Sequence, residues 1–245
     1  MKKLLKYIKY SILPYFYAIP TYIKQNECQK YSDCVLFHSL VAKAPRYYDR
    51  AIEYPWALKN VNLTNGNFLD VGSTVGQMFR ENLPDVVEVY IINLDKEQRF
   101  GKINGVNSIY GDIRSTQFET NKFDVISCIS TLEHIGVEGR YHVLADPLGD
   151  RKAMSEMLRI LKPGGKLLLT VPYGKKDVLP INKLYNSKRI TELTKGYNVI
   201  SSEYQKYDDK FRIWKTVSEE VAAKTDWLNE KWYALGLFIL EKPKK

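Results

Sequence analysis

The chain has few cysteines and no long apolar run. Its three cysteines, Cys28, Cys34 and Cys128, cannot all pair and lie at no familiar metal-ligand spacing. The sequence therefore predicts neither a disulfide scaffold nor a metal site, and it favours a reducing, cytoplasmic environment. Because no run of about 20 apolar residues occurs, no simple transmembrane helix is predicted. Internal repeats, low-complexity tracts and recognisable RNA-binding modules are also missing.

Basic charge is in excess. The 245 residues include 37 Lys and Arg against 28 Asp and Glu, which gives a net charge of +9. This balance favours anionic partners such as nucleic acid, acidic glycans or a negatively charged membrane surface, although compositional drift explains it equally well. The basic residues are scattered rather than clustered, which makes nucleic acid the less favoured partner.

The first 24 residues mix lysines with leucines, isoleucines and tyrosines. Such a mixture is typical of a segment that lies on anionic lipid, and it predicts peripheral contact with the inner membrane surface. A helix packed on the main domain is the alternative. Pro14 and Pro20 interrupt the apolar part and argue against a signal peptide. We expect residues 1–60 to form a largely helical, aromatic and basic N-terminal cap.

From about residue 61 the pattern predicts one α/β domain that extends to residue 245. Apolar runs of strand length alternate with helical segments such as 151–161, which indicates parallel strands joined by crossover helices. The predicted strands are 68–71, 89–94, 108–110, 124–129, 166–171, 198–204 and 232–240. The resulting fold class is a doubly wound, Rossmann-like, seven-stranded and mostly parallel sheet with an antiparallel last strand. Residues 205–230 are interpreted as an insertion that covers the active site.

A glycine loop follows the first predicted strand in the sequence NFLDVGSTVGQ. Glycine lets the backbone turn sharply and approach a ligand, and the next helix offers unpaired N–H groups. The spacing of Gly72 and Gly76 is G-x-x-x-G, which matches the dinucleotide fingerprint G-x-G-x-x-G poorly. A ligand at the carboxyl ends of the strands is expected, but not a dinucleotide.

The loop resembles the first motif of class I S-adenosylmethionine-dependent methyltransferases, in which an acid is followed by three alternate glycines. Thr74 stands at the middle glycine position. The segment LRILKPGGKLLLTVP, after the fourth strand, is similar to a further signature of that family. The resemblance implies S-adenosyl-L-methionine as the cofactor, with Asp95 on the ribose hydroxyls and Asp112 accepting from the adenine amino group. The implied cofactor-binding residues are Asp70, Gly72, Ser73, Thr74, Gly76, Asp95, Asp112, Ile113 and Ser130.

Methyl transfer from a sulfonium needs an aligned nucleophile, which is mostly a proximity effect, and a base helps when the nucleophile is a hydroxyl. His134 is the candidate base, because it follows the fourth strand, where the family places substrate-facing residues, and its unperturbed pKa lies near neutral. The alternative is that His134 caps a helix or braces the site. Glu133 is predicted to be an acid that supports His134 or positions the cofactor.

The segment GRYHVLADPLGD, at 139–150, resembles part of a subgroup of methyltransferase-like proteins encoded with surface-polysaccharide enzymes. That resemblance implies a sugar or glycan acceptor. Arg140 would then pair with an anionic acceptor, Tyr141 would stack on a sugar ring, and Tyr173 would line the acceptor pocket. A loop held by an Arg140–Asp146 ion pair is the alternative. No Asn-Pro-Pro-Tyr sequence follows the fourth strand, which favours an oxygen acceptor.

Three functions remain open at this point. The favoured hypothesis is an O-methyltransferase acting on a sugar or glycan intermediate. The net charge suggests methylation of RNA, and Thr74 in the loop suggests a non-catalytic binding protein that keeps the fold.

Overall fold

The computed structural model describes residues 49–72, 76–94, 105–138, 144–211, 213–230 and 232–244. Within these ranges the chain forms an eight-stranded sheet flanked by helices. The strands are β1 (Gly66–Val71), β2 (Val87–Asn93), β3 (Val106–Tyr110), β4 (Phe123–Ile129), β5 (Leu161–Tyr173), β6 (Asn198–Asp208), β7 (Ile213–Thr216) and β8 (Ala234–Glu241). The helices are α1 (Arg50–Val61), α2 (Gly76–Asn82), α3 (Gly149–Ile160), α4 (Ser187–Leu193), α5 (Glu219–Ala223) and α6 (Trp227–Glu230).

The strand order is β3-β2-β1-β4-β5-β8-β6-β7. Strands β1 to β5 pair in parallel, and β8 is antiparallel to its neighbours β5 and β6. This arrangement confirms the predicted Rossmann-like α/β architecture. The predicted number of strands was wrong, because the four-residue β7 pairs antiparallel with the end of β6 and adds an eighth strand.

The sheet is covered on both faces, which is why its central strands are almost continuously apolar. On one face α3 contributes Ala153, Met154, Met157 and Ile160, all at most 2% exposed. On the other face α1 contributes a buried stripe of Ile52, Trp56 and Ala57. Each helix follows the 3.6-residue period with its apolar positions, so it buries one side against the sheet.

Residues 205–230, interpreted as an insertion, contain the end of β6, β7, α5 and α6. The β6–β7 hairpin is held by cross-strand pairs from Gln205 with Thr216 to Asp208 with Ile213. The rings of Tyr207 and Trp214, which are directly opposite, pack edge to face at 5.7 Å. Aromatic pairs of this kind stabilise an antiparallel ladder. The role of this region as a cover for the active site stays a prediction.

The N-terminal cap and its membrane contact fall mostly on residues 1–48, which lie outside the described ranges. Of the predicted cap, residues 50–60 belong to α1 and are helical. None of the helices in the described part of the chain is both long enough and apolar enough to cross a bilayer.

Candidate active site

The glycine loop begins where β1 ends, close to the turn after β4. The backbone of Gly72 has a φ of +96°, and its N–H donates to the carbonyl oxygen of Ile92 at 2.8 Å. A Cβ at this position would lie 2.5 Å from Thr131 Oγ1. Both the left-handed backbone and the close contact require glycine. The loop therefore starts tightly against β4, with α2 beginning at Gly76.

The predicted acid of the loop, Asp70, is fully buried on β1. Its Oδ1 accepts a hydrogen bond of 2.7 Å from Ser127 Oγ on the neighbouring strand β4. Asp70 thus helps to hold together the two strands whose ends form the site. Ser73, Thr74 and Asp95 lie outside the described residues, so their predicted roles in cofactor binding stay predictions.

Asp112 follows β3 and is held by Arg114. The guanidinium Nη2 donates to Asp112 Oδ2 at 2.6 Å, and Nε lies 3.1 and 3.0 Å from the two carboxylate oxygens. Burial raises the pKa of Asp112, but the hydrogen bonds and charge of Arg114 outweigh it and hold that pKa below its usual range. Asp112 is therefore an oriented carboxylate that is still 30% exposed at the side chain. Its neighbour Ile113 is buried in the core.

Arg114 also connects Asp112 to the segment before α3. Its Nη1 donates to Asp146 Oδ2 at 2.9 Å, and Lys152 Nζ contacts the same oxygen at 2.9 Å. The Asp146 carboxylate is thus paired with Arg114 and Lys152. Arg140 and Tyr141 lie outside the described residues, so the proposed acceptor contacts and the alternative Arg140–Asp146 pair stay predictions.

A hydrogen-bonded hub lies where β4 and β5 end. Glu53 of α1 is fully buried, and its Oε1 accepts from Ser130 Oγ at 2.5 Å and from Thr170 Oγ1 at 2.6 Å. Its Oε2 accepts from Arg50 Nη1 at 2.5 Å. Ser130 has a φ of +41°, a conformation that non-glycine residues adopt rarely and mostly at functional sites. The hub fixes the predicted cofactor residue Ser130 in this conformation.

The predicted catalytic pair follows one turn later, in a short 3₁₀ helix, Leu132–His134. His134 Nδ1 lies 3.1 Å from the carbonyl oxygen of Ile181, and Nε2 lies 3.6 Å from Glu133 Oε1. Glu133 is only 2% exposed, and burial raises its pKa to about 8. Glu133 therefore carries a proton at neutral pH in this environment.

A cavity of about 480 Å³ opens beside this turn. It lies between the turn after β4, the start of α3 and the segment from Asp177 to Leu193, with Val137, Pro147, Asp150, Leu179, Lys183 and Arg189 in its lining. Two ion pairs lie in its lining: Arg189 Nη1 donates to Asp177 Oδ1 at 2.5 Å, and Lys183 Nζ lies 3.4 Å from Asp150 Oδ1. The size suits a small-molecule ligand.

Tyr173, predicted to line the acceptor pocket, is fully buried at the end of β5. Its hydroxyl donates to Glu219 Oε1 at 2.7 Å, and its ring packs against Tyr204 at 5.0 Å. It is not among the residues that line the cavity. His134 and Glu133 are not among the lining residues either, but His134 contacts Ile181, which lies between the lining residues Pro180 and Lys183. The catalytic and substrate roles of these residues stay predictions.

Two features of the site were not anticipated from sequence. Glu53 lies far from the motifs in the chain, and nothing in its local sequence signals the bonds to Ser130 and Thr170. Trp227, Trp232 and Tyr233 form a stack near the carboxyl end of β5, with the rings of Trp232 and Tyr233 4.7 Å apart and 22° from parallel.

A group of three His, Cys, Asp or Glu that could hold a metal ion is not found within the described ranges.

The architecture is that of class I S-adenosylmethionine-dependent methyltransferases. The N-methyltransferase NodS of Bradyrhizobium japonicum, solved with S-adenosyl-L-homocysteine, superposes with a TM-score of 0.52 at 17% identity over 82% of this chain and 90% of its own. A methyltransferase of Methanosarcina mazei gives a TM-score of 0.52 at 13% identity, over 77% and 97% of the two chains. These likenesses confirm the fold.

The chain belongs to the family described as "Caenorhabditis protein of unknown function, DUF268", whose profile matches residues 78–232. It is also similar to the ubiquinone/menaquinone biosynthesis C-methyltransferase UbiE. The Idiomarina loihiensis protein is 27% identical over 116 residues, 47% of this chain and 41% of that relative. The Vibrio parahaemolyticus protein is 22% identical over 210 residues, 78% and 75% of the two. In the Idiomarina comparison the chain thus spans about two fifths of its relative.

We predict that Thr170→Val lowers the free energy of unfolding by about 1–3 kcal/mol, because the buried Glu53 carboxylate loses a donor while the side-chain volume is nearly kept. Urea unfolding measures the change. Thr64→Val, at an exposed position, should stay within about 0.5 kcal/mol of the parent protein. Equal stability of both variants would show that the hub contributes nothing.

Proposed function

We propose that the protein is an S-adenosylmethionine-dependent methyltransferase that methylates a hydroxyl of a sugar or glycan intermediate. The observation that carries the proposal is the contact between Gly72 and Thr131 at the adjoining ends of β1 and β4. It leaves a backbone turn, with no room for a side chain, at the place where doubly wound sheets bind their ligands. The relatives' printed activities, methyl transfer to carbon and to nitrogen, support the class of reaction.

The described residues fit this cofactor. Gly72 lets the backbone approach the ligand, and Asp112, oriented by Arg114, presents a carboxylate to an amino group of the adenine. Ser130, held by Glu53, fixes the backbone at the end of β4. When bound, the cofactor supplies an activated methyl group, and the protein has to align the acceptor with it.

His134 is suited to take the proton of the acceptor hydroxyl. A carbonyl oxygen can accept a hydrogen bond but cannot donate one, so the contact with Ile181 places the proton of a neutral His134 on Nδ1. Nε2 is then the basic nitrogen of the ring. The imidazole side chain is 15% exposed, which leaves it accessible at the site edge while its other nitrogen is anchored.

The cavity beside His134 is the proposed acceptor site. It is lined by Asp150 and Pro147 from the segment that carries the polysaccharide-subgroup resemblance. Exposed apolar side chains, Leu148 and Leu179, lie in its lining and suit the apolar faces of a sugar ring or an attached lipid. Peripheral contact of residues 1–24 with an anionic inner membrane, in an otherwise cytoplasmic protein, would bring such an acceptor to the site.

The transfer itself is tested with cofactor labelled in its methyl group. The protein is incubated with nucleotide-sugar and lipid-linked glycan fractions, and separately with RNA and with small amines. We expect label in a carbohydrate fraction. Label in the RNA or amine fraction alone would overturn the acceptor class while keeping the reaction class, and a protein that binds the cofactor without any transfer would overturn both.

Gly72→Ala should weaken binding of S-adenosyl-L-homocysteine at least tenfold, because the added Cβ displaces the loop from Thr131. Isothermal titration calorimetry measures the dissociation constant. Gly164→Ala is the matched control: Gly164 has a similar φ of +76° near the start of β5, where a Cβ would meet the flexible end of Lys244. Both variants lose backbone freedom, but the control should bind as the parent does. Equal binding by the two variants would show that the glycine loop is not part of the cofactor site.

His134→Gln should leave binding of S-adenosyl-L-homocysteine unchanged and lower the rate of methyl transfer by about 10²- to 10⁴-fold, which is the usual contribution of a general base. Single-turnover transfer to the identified acceptor measures the rate. An unchanged rate would leave His134 with the bracing role that was the alternative interpretation.

A further inference from the structure

Three buried carboxyl groups converge near the end of β4. Asp49 and Glu53 come from the start of α1, and Glu133 comes from the 3₁₀ turn after β4. All three are less than 10% exposed, and both α1 carboxylates act electrostatically on Glu133. The Arg50 guanidinium also acts on Glu133 and favours its ionised form. The cluster therefore holds more acidic than basic groups away from water, which is costly unless each group has a partner.

Two of the three carboxylates have partners for both of their oxygens. Glu53 is bonded by Ser130, Thr170 and Arg50. Asp49 accepts from the N–H of Arg50 at 3.0 Å and from Tyr233 OH at 2.7 Å. Every oxygen of these two carboxylates therefore accepts at least one hydrogen bond.

Glu133 differs from them. Its Oε2 is buried and has no hydrogen-bond partner among the described residues. Its carboxyl group interacts with the backbone N–H of Glu133 itself, and Oε1 lies 3.6 Å from His134 Nε2, beyond hydrogen-bonding distance. Buried polar atoms are almost always bonded, so an orphaned carboxyl oxygen indicates a missing partner.

The position of Glu133 indicates where that partner comes from. Two residues before it, Thr131 donates its hydroxyl to Val71 O at 3.2 Å, and the same side chain adjoins Gly72. Glu133 thus belongs to the same turn as Thr131, the residue whose side chain adjoins Gly72. The proposed cofactor carries an amino acid part with an α-ammonium group, which offers N–H donors and a positive charge.

We propose that the Glu133 carboxylate binds the α-ammonium group of S-adenosylmethionine and of its product. This proposal rests on the proposed function. The added cation balances the acidic cluster and supplies the donor that Oε2 lacks. This assigns Glu133 to cofactor binding rather than to proton transfer from the acceptor.

The association constant of the cofactor should then depend on pH. Burial raises the pKa of free Glu133 to about 8, while an ammonium favours the ionised carboxylate. Below pH 8, binding therefore releases a proton from Glu133, and the association constant rises with pH by up to about tenfold per unit. Above about pH 7.5 the α-amino group begins to lose its own proton, so the useful range is pH 6 to 7.5.

Other titratable groups lie near Glu133, and the Glu133→Gln variant separates their contribution from that of Glu133. The titratable and charged groups that face it are Asp49, Arg50 and Glu53 from α1, Cys128 from β4, His134 in its own turn, Tyr185 after β5 and Tyr233 before β8. Burial raises the pKa of Cys128, Tyr185 and Tyr233 well above its ordinary value, so these three stay neutral throughout the range. A slope caused by any group other than Glu133 would persist when Glu133 is replaced.

The experiment measures binding by calorimetry between pH 6 and 7.5 with two probes. S-adenosyl-L-homocysteine carries the ammonium, and 5′-methylthioadenosine lacks the amino acid part. We expect affinity for the first probe to rise with pH in the parent protein and affinity for the second to stay level. In Glu133→Gln the slope should vanish and binding of the first probe at pH 7.5 should weaken at least tenfold, with the second probe bound as before. Glu119→Gln, at an exposed position, should behave as the parent.

Each other outcome overturns the inference in a recognisable way. If Glu133→Gln binds S-adenosyl-L-homocysteine with the parent's affinity or slope, the ammonium is held elsewhere. If it loses both probes equally, Glu133 has a structural role. If the parent protein binds neither probe, it is the proposed function that fails.

Discussion

One buried carboxylate fixes the start of α1 to the strand ends that form the site. Glu53 accepts from Ser130 and Thr170, so a single side chain fastens the helix to the carboxyl ends of both β4 and β5. Buried acidic groups are costly unless they are paired, and Arg50 completes the set of partners of Glu53. The left-handed backbone of Ser130, the turn that carries Glu133 and His134, and the start of α1 all meet at this one arrangement.

The sheet itself brings the rest of the site together. Parallel pairing of β2, β1 and β4 places Asn93, Val71 and Cys128 near one edge, so the segments that follow these strands are neighbours although they are far apart in sequence. Asp70 and Ser127 join β1 to β4 just below that edge. Beyond the strand ends, the Thr131 side chain lies next to the backbone of Gly72. The site is thus built on strand ends that the core holds rigid, and its chemistry lies in the turns.

Much of this could be predicted from the sequence because the central strands are buried on both faces and therefore read as apolar runs. The first five strands were placed within a few residues of their observed bounds, except that β5 starts at Leu161, where LKPGG already pairs with Phe123. The missed strand, β7, is only IWKT, with one buried residue, Trp214. Its pairing with β6 depends on a long-range contact that no local pattern encodes. The same holds for Glu53, whose partners lie 77 and 117 residues away.

Arg114 gives the two halves of the site a common anchor. One guanidinium serves Asp112, at the end of β3, and Asp146, in the segment that leads into α3 and borders the cavity. The two carboxylates cannot move apart without breaking one of these pairs. One guanidinium therefore joins the end of β3 to the cavity side of the site, and the same positive charge is shared by both carboxylates.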